Sequence, residues 1–457
     1  MSRERQNSQR QLAYPTGGRG EASSPDGGET DVRADAENET PRYGMELMEE
    51  ICRRENVRAA LDRVIKNSGA PGVDGMTVHQ LRSHLNKHWP QMRKALLEGK
   101  YKPLPVRRVE IPKPDGGVRL LGIPTVMDRL VQQAILQVLG PKWDETFSVH
   151  SHAFRPNHRQ HDAIAEAQQY IAEGYGWVAD LDLEKFFDRV NHDRLMSQLA
   201  KRIGDKRPLK LIRSFLEAGV MIGGLTSPTD EGTPQGGPLS PFLSNIVLDE
   251  LDRELERRGH RFVRYADDCN IYVKTERAGR RVMDSISKFI TTKLKLKVNA
   301  TKSAVARPEE RKFLGFTFRT VEDKVERIIS AKSLERVRQK IRGLTGRTRG
   351  TSFNTVIEAL NSYLGGWAGY YRFTQAKRQL EALDKWIRRR LRAYLWKQWK
   401  TIRRRYAELV KLDVNRRLAK AAAGSSKGCW AMSHVQALDM ALNKAFFAKA
   451  GLRPLTP

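Results

Sequence analysis

The run Arg261-Phe-Val-Arg-Tyr-Ala-Asp-Asp-Cys-Asn-Ile-Tyr-Val-Lys274 leaves the chain few local folds. Two short strand-like runs, Arg261–Arg264 and Asn270–Lys274, flank Tyr265-Ala266-Asp267-Asp268. Strand, two acids, strand reads as a hairpin that presents Asp267 and Asp268 at its turn. Adjacent carboxylates repel, and each raises the pKa of the other unless a cation sits between them. Magnesium (Mg2+) suits such a place, because it takes a few carboxylates together with water and substrate phosphates. The plainer alternative is an ordinary β-turn, in which Asp is common. The apolar flanks weigh against it.

A second source of carboxylate lies upstream. Gly176-Trp-Val-Ala-Asp-Leu-Asp-Leu183 reads as a buried strand in which Asp180 and Asp182 share a face. It runs into Glu184-Lys-Phe-Phe-Asp188 and Asn191-His-Asp193, then into a helical stretch for which Asp193 is a candidate N-cap. A strand that ends in Asp, beside an Asp-Asp hairpin, can gather Asp182, Asp267 and Asp268 around two metal ions. Two ions about 3.5–4 Å apart activate an attacking hydroxyl and stabilise a leaving pyrophosphate. Asp180 is better read as a structural acid. His192 has no neighbour at metal-ligand spacing and is read as structural too.

Charge points to the partner. The chain carries a net +29, which calls for a polyanion, usually nucleic acid. The excess is uneven: residues 331–457 hold 28 Lys and Arg against 7 Asp and Glu, while residues 1–330 hold 54 against 46. A long anion must therefore be gripped mainly by the C-terminal third. No apolar run approaches the roughly 20 residues that span a bilayer, so no membrane role is expected. Three scattered cysteines, Cys52, Cys269 and Cys429, argue against a zinc module and against secretion. Residues 1–44 are polar and Gly/Ser/Pro-containing without a signal-peptide core. They are expected to be a disordered tail on a cytoplasmic protein.

Along the chain, Met45 to about Leu97 reads as helices broken at Asn67-Ser-Gly-Ala-Pro-Gly-Val-Asp-Gly75. Arg107 to Ile123 alternates like strands about Pro114-Asp-Gly-Gly117, and Val131 to Leu139 is helical in period. Strands and helices mix as far as Phe318. From about Ala331 the pattern is almost wholly helical. Leu380, Leu383, Ile387, Leu391, Tyr394 and Leu395 form one stripe, with most of the cations elsewhere.

Asp182-Leu-Glu-Lys-Phe-Phe-Asp188, Gly232-Thr-Pro-Gln-Gly-Gly-Pro-Leu-Ser-Pro241 and Tyr265-Ala-Asp-Asp268 stand in the order of the palm motifs of reverse transcriptases. With Ile111-Pro-Lys-Pro-Asp-Gly-Gly-Val-Arg119, Leu121-Gly-Ile-Pro124, Phe154-Arg-Pro156 and Phe313-Leu-Gly-Phe316, the chain resembles the reverse transcriptase/maturase proteins of bacterial group II introns. Leu360-Asn-Ser-Tyr-Leu-Gly-Gly-Trp-Ala-Gly-Tyr-Tyr-Arg372 and Leu383-Asp-Lys-Trp-Ile-Arg-Arg-Arg-Leu391 are similar to the thumb and maturase region. The resemblance implies that Asp182, Asp267 and Asp268 are catalytic and hold magnesium. It implies that Lys113 and Arg119 grip the incoming triphosphate and that Phe187 excludes a 2′-hydroxyl. Gln235 would contact nucleotide and template, and Phe313 to Phe316 would help hold the primer end. Arg388, Arg389 and Arg390 are the candidate nucleic-acid-binding residues of the basic module.

The implied fold is α+β, a right-hand polymerase with fingers and palm over 45–325. A helical thumb/maturase domain follows over 326–412, then a small DNA-binding tail over 413–457 of the endonuclease-lacking type. The implied activity is RNA-directed DNA synthesis from deoxynucleoside triphosphates, with intron RNA as template, a DNA target and primer, assistance to splicing and support of intron mobility. A homodimer is compatible with this reading. The alternative is a free-standing or domesticated relative acting in DNA repair or phage defence.

Overall fold

The computed structural model describes residues 43–112, 116–222, 225–227, 231–233 and 236–456. Nearly all of the expected N-terminal tail lies outside them. Residues 42–457 form one compact unit.

The N-terminal helices are Leu47–Ile51, Arg54–Asn67 and Val78–Leu97, broken at the expected Gly/Pro loop. Their apolar faces pack on Val126–Asp144, a helix buried along most of its length. Strands β1 (Val106–Pro112) and β2 (Val118–Ile123) form an antiparallel hairpin, the fingers hairpin of the expected fold. Its turn glycines, Gly116 and Gly117, sit at φ +89 and +77, a region open to glycine because it lacks a Cβ. After β3 (Trp177–Leu181), strand β4 (Val220–Ile222) joins β1 in parallel, and β5 (Leu225–Ser227) pairs with β4.

The central sheet holds β3, β6 (Arg261–Tyr265), β7 (Asp268–Val273) and β8 (Ala304–Ala306) in the order β6-β7-β3-β8, all antiparallel. Alternation along these strands divides the core. Ala179, Leu181, Phe262, Cys269 and Ile271 face one cluster, shared with Val126–Asp144 and Ser240–Arg257. Val178, Val263 and Tyr272 face a second, shared with helix Gln160–Ala172 and the C-terminal helices. Asp180 and Asp182 follow Val178 at a period of two, so both carboxylates leave the sheet on this second side.

Helix His192–Arg202 corrects one expectation. Its N-cap is Asn191, whose side chain accepts from Arg194 N at 2.9 Å, and Asp193 sits inside the first turn paired with Arg213. Both are good capping residues; Asn191 is the one with the extended backbone that a cap needs. His192 is buried, with its Nε2 2.7 Å from the Gly232 carbonyl, as a structural histidine should be.

Strands β9 (Phe316–Val321) and β10 (Lys324–Ile329) make a separate hairpin that straddles the 325/326 boundary expected above. From Ala331 on, the described residues are helical, including Ala331–Leu344, Phe353–Tyr371 and Lys377–Gln398. Leu380, Leu383, Ile387, Leu391, Tyr394 and Leu395 are all buried. The C-terminal Leu438, Leu442, Phe447 and Leu455 belong to that same core, so residues after 413 pack onto the helical module.

Candidate active site

The sheet register brings the acids together. Asp180 pairs with Asn270 and Leu181 with Cys269, so the next step along both strands sets Asp182 across from Asp268. Tyr265 pairs with Asp268, which leaves Ala266 and Asp267 as the turn. Ala266 has φ +58, a left-handed conformation that costs a residue with a Cβ roughly 1–2 kcal/mol. Something must hold this turn.

Arg264 does so. Its side chain is completely buried and forks onto Asp252, Nε to Oδ1 at 2.7 Å and Nη2 to Oδ2 at 2.5 Å, Asp252 being equally buried. The same guanidinium donates to Ser151 Oγ at 2.7 Å, Asn245 Oδ1 at 3.1 Å and the Ala266 carbonyl at 3.1 Å. A buried ion pair is worth keeping only when its remaining donors are satisfied, and these are. The last bond ties the helix Ser240–Arg257 to the turn that carries Asp267. The sequence did contain the signal, a second Arg inside the strand, next to the apolar Phe262-Val263.

The acids repel as their placement demands. Burial, then the charges of Asp267, Asp180 and Asp182, push Asp268 up to about 7. Asp267 is raised by burial and by Asp182, while Arg119 and Lys302 pull it back. Lys302 Nζ lies 3.5 Å from Asp182 Oδ2, a partner not anticipated from sequence. Asp180 is held by Arg311 at 2.6 Å and stays structural. Among the described residues no three His, Cys, Asp or Glu side chains close on a common point that would hold an ion. The donor chemistry nevertheless fits a hard divalent cation: three carboxylates gathered at one end of the sheet, with Asp267 and Asp268 held up by burial and neighbouring charge and one lysine at the rim.

Between the fingers hairpin and the Phe187 turn is a cleft of about 410 Å3, walled by Leu121 and Gly122 of β2 on one side and by Phe187, Asp188 and Thr233 on the other. Phe187 follows Lys185, at φ +49, in the short 3-10 turn Phe186–Asp188. It is half-buried, with its ring packed edge-on against Phe186 at 5.2 Å. Thr233 N donates to the Phe187 carbonyl at 2.6 Å, which ties the Gly232-Thr233 segment to the Phe187 turn. Thr233 Oγ1 is buried without a hydrogen-bond partner among the described residues, a free polar group in this wall. At Gly236, φ is +132 and a Cβ would fall 2.6 Å from the Gly122 carbonyl, so only glycine lets this loop reach the fingers. Arg119 is exposed on β2, and its charge is felt at Asp267. Lys113 and Gln235 lie outside the described residues.

Phe313 and Phe316 exchange backbone hydrogen bonds around the Leu314-Gly315 turn, and both rings are buried. Tyr370 of the helical module donates to the Leu314 carbonyl at 2.7 Å. Arg388 is paired with the buried Asp384 at 2.5 Å. Arg389 lies 3.9 Å over the Trp430 ring, and Arg390 donates to Thr345 Oγ1 at 2.6 Å. All three arginines are half-buried and have protein partners.

A family model described as reverse transcriptase (RNA-dependent DNA polymerase) matches residues 111–318, and one described as the group II intron maturase-specific domain matches residues 334–412. Residues 111–318 therefore form a reverse transcriptase domain. The chain thus carries a reverse transcriptase domain followed by a group II intron maturase-specific domain. It is 42% identical to Protein YkfC of Escherichia coli (strain K12) over 42% of this chain and 52% of that protein. It is 29% identical to the group II intron-encoded protein LtrA of Lactococcus lactis subsp. cremoris over 49% of this chain and 48% of that protein. The chain thus spans about half the length of these relatives. A solved structure titled partial Cas6-RT-Cas1--Cas2 complex aligns with 54% of this chain and 42% of its own at 25% identity and a TM-score of 0.35.

Proposed function

We propose that the chain is an RNA-directed DNA polymerase of a group II intron that also binds intron RNA to assist splicing and supports intron mobility. The observation that carries the reading is the meeting of Asp182 with the Asp267-Asp268 turn at the end of the central sheet. The maturase-domain match supports the intron reading over a free-standing repair or defence enzyme.

Magnesium held by Asp182, Asp267 and Asp268 would supply Lewis-acid activation of a primer 3′-hydroxyl and neutralise charge on the leaving pyrophosphate. The chain itself does the positioning. Arg264 holds the turn through the Ala266 carbonyl, and Lys302 neutralises part of the Asp182 charge. Arg119 and Lys113 grip the triphosphate through charge-assisted donors. Phe187 fills the space of a 2′-hydroxyl, and Gln235 meets nucleotide and template where Gly236 admits close approach. The helical module, which holds most of the charge excess, grips RNA by counterion release.

The proposed domains are fingers and palm, a thumb/maturase domain X, and a tail that supports DNA contact. No described helix is long and apolar enough to cross a membrane, and the proposed setting is the cytoplasm, as a monomer or a homodimer. The test is extension of a DNA primer on an RNA template with deoxynucleotides and magnesium. The reading predicts template-dependent product; ribonucleotide polymerisation at an equal rate, or none of either, would overturn it.

A further inference from the structure

Away from the catalytic acids, helix Lys377–Gln398 and the short segments Cys429–Met432 and Gln436–Ala441 flank a cleft of about 380 Å3. Small-ligand clefts start at about 300 Å3, so this one has room for a nucleotide and not merely an ion. Its lining includes Lys385, Trp386, Arg388, Arg389 and Arg392, with Asp439 the one acid among the described lining residues.

The arginines are fixed by the protein. Arg388 is pinned by Asp384, and Arg389 lies over Trp430 and donates to Ser433 Oγ at 3.3 Å. Arg392 donates to the Leu442 carbonyl at 2.9 Å and pairs with Asp439. A guanidinium has five N–H donors. Among the described residues Arg388 and Arg389 each make one hydrogen bond to the protein, so most of their donors remain for a ligand. Lys385 is exposed. Burial, and to a lesser extent the Arg388 charge, hold the Arg392 pKa below its ordinary value although Asp439 opposes this. The cluster is short of negative charge.

We propose that this cleft binds one nucleotide of a single-stranded RNA segment, with its phosphodiester on Lys385, Arg388 and Arg389 and its base against the Trp386 indole. The inference rests on the RNA-binding part of the proposed function. A base can enter such a cleft only when unstacked, which favours a loop or bulge over a duplex. Asp384 orients Arg388, while Trp430, Ser433 and Asp439, all after 413, orient Arg389 and Arg392, so the C-terminal tail contributes to this site.

The full-length protein is titrated at several salt concentrations with fluorescent oligouridine, with oligothymidine and with an RNA duplex. Lys385→Gln and Arg389→Gln should each flatten the log-affinity against log-salt slope for oligouridine by about 0.7, or about fivefold weaker binding at 0.1 M salt. Trp386→Leu should weaken oligouridine binding about tenfold with little change in slope, as lost stacking does. Arg281→Gln, an exposed charge on helix Glu276–Phe289, should leave the slope unchanged. Unchanged slopes in both Lys385→Gln and Arg389→Gln would overturn the proposal, as would equal losses on oligothymidine or on duplex. Because Lys385 is exposed, its variant tests the site without a burden on folding. Primer extension by the parent reports separately: a parent that binds oligouridine as described but extends nothing sinks the polymerase reading and leaves the cleft standing.

Discussion

Arg264→Met tests the device that holds the catalytic turn. Arg264 and Asp252 are both fully buried, so removing the guanidinium leaves an unpaired carboxylate in the core. Breaking a buried pair from one side costs about 3–5 kcal/mol, a large part of the roughly 5–15 kcal/mol that stabilises a folded chain. The variant should therefore unfold at markedly lower urea, while remaining folded in the cold. It also strips the Ala266 carbonyl of its side-chain donor and frees a turn that is already strained. Displacement of a reacting group by about 1 Å lowers rate about a hundredfold, and primer extension should fall by at least that. The double variant Arg264→Met, Asp252→Leu separates the two effects. With both charges gone, stability should return in good part. Activity should not, because Ala266 is still unanchored. If the double variant is no more stable than the single, the pair does not stabilise as described. If activity returns together with stability, Arg264 is a core residue without a positioning role.

Phe187→Ala should raise ribonucleotide incorporation relative to deoxynucleotide in single-nucleotide extension, because the half-buried ring walls the cleft; unchanged discrimination would place the gate elsewhere. In metal-free protein, Asp268 holds its proton to about pH 7 when folded but to about 4 when unfolded, so stability should fall as pH rises through that window. Asp268→Asn should lessen the decline, leaving the part due to Asp267, and make the metal-free protein more stable than the parent above pH 7, measured by thermal melting. Arg388→Ala should lower the melting temperature more than Arg389→Gln, since only the first strands a buried acid, Asp384. Equal shifts would mean that Asp384 finds another partner.

What the sequence revealed and what it hid follow the range of the interactions. The hairpin with Asp267 and Asp268 was legible because its strands alternate and its turn is local. The same holds for Asp182 at the end of β3 and for the fingers hairpin about Gly116 and Gly117. The helical module was legible from its stripe, every member of which is buried. Asp180 could be set aside as structural, but its partner Arg311 lies 131 residues away and no local pattern names it. Lys302 beside Asp182 was hidden for the same reason. The roles of Arg388, Arg389 and Arg390 were obscured differently. Their exposed-looking charge run is partly turned into the protein by residues 345 and 384 and by Trp430 of the C-terminal tail. Charge counts register how many cations a segment holds; they do not register which are already engaged.

The central claim is that Asp182 and Asp267, brought together from two motifs, perform the chemistry while the basic surface binds RNA independently. Asp182→Asn and Asp267→Asn should each abolish magnesium-dependent primer extension on an RNA template while leaving the affinity for intron RNA and its salt dependence close to those of the parent. Near-normal synthesis by either variant would contradict the account.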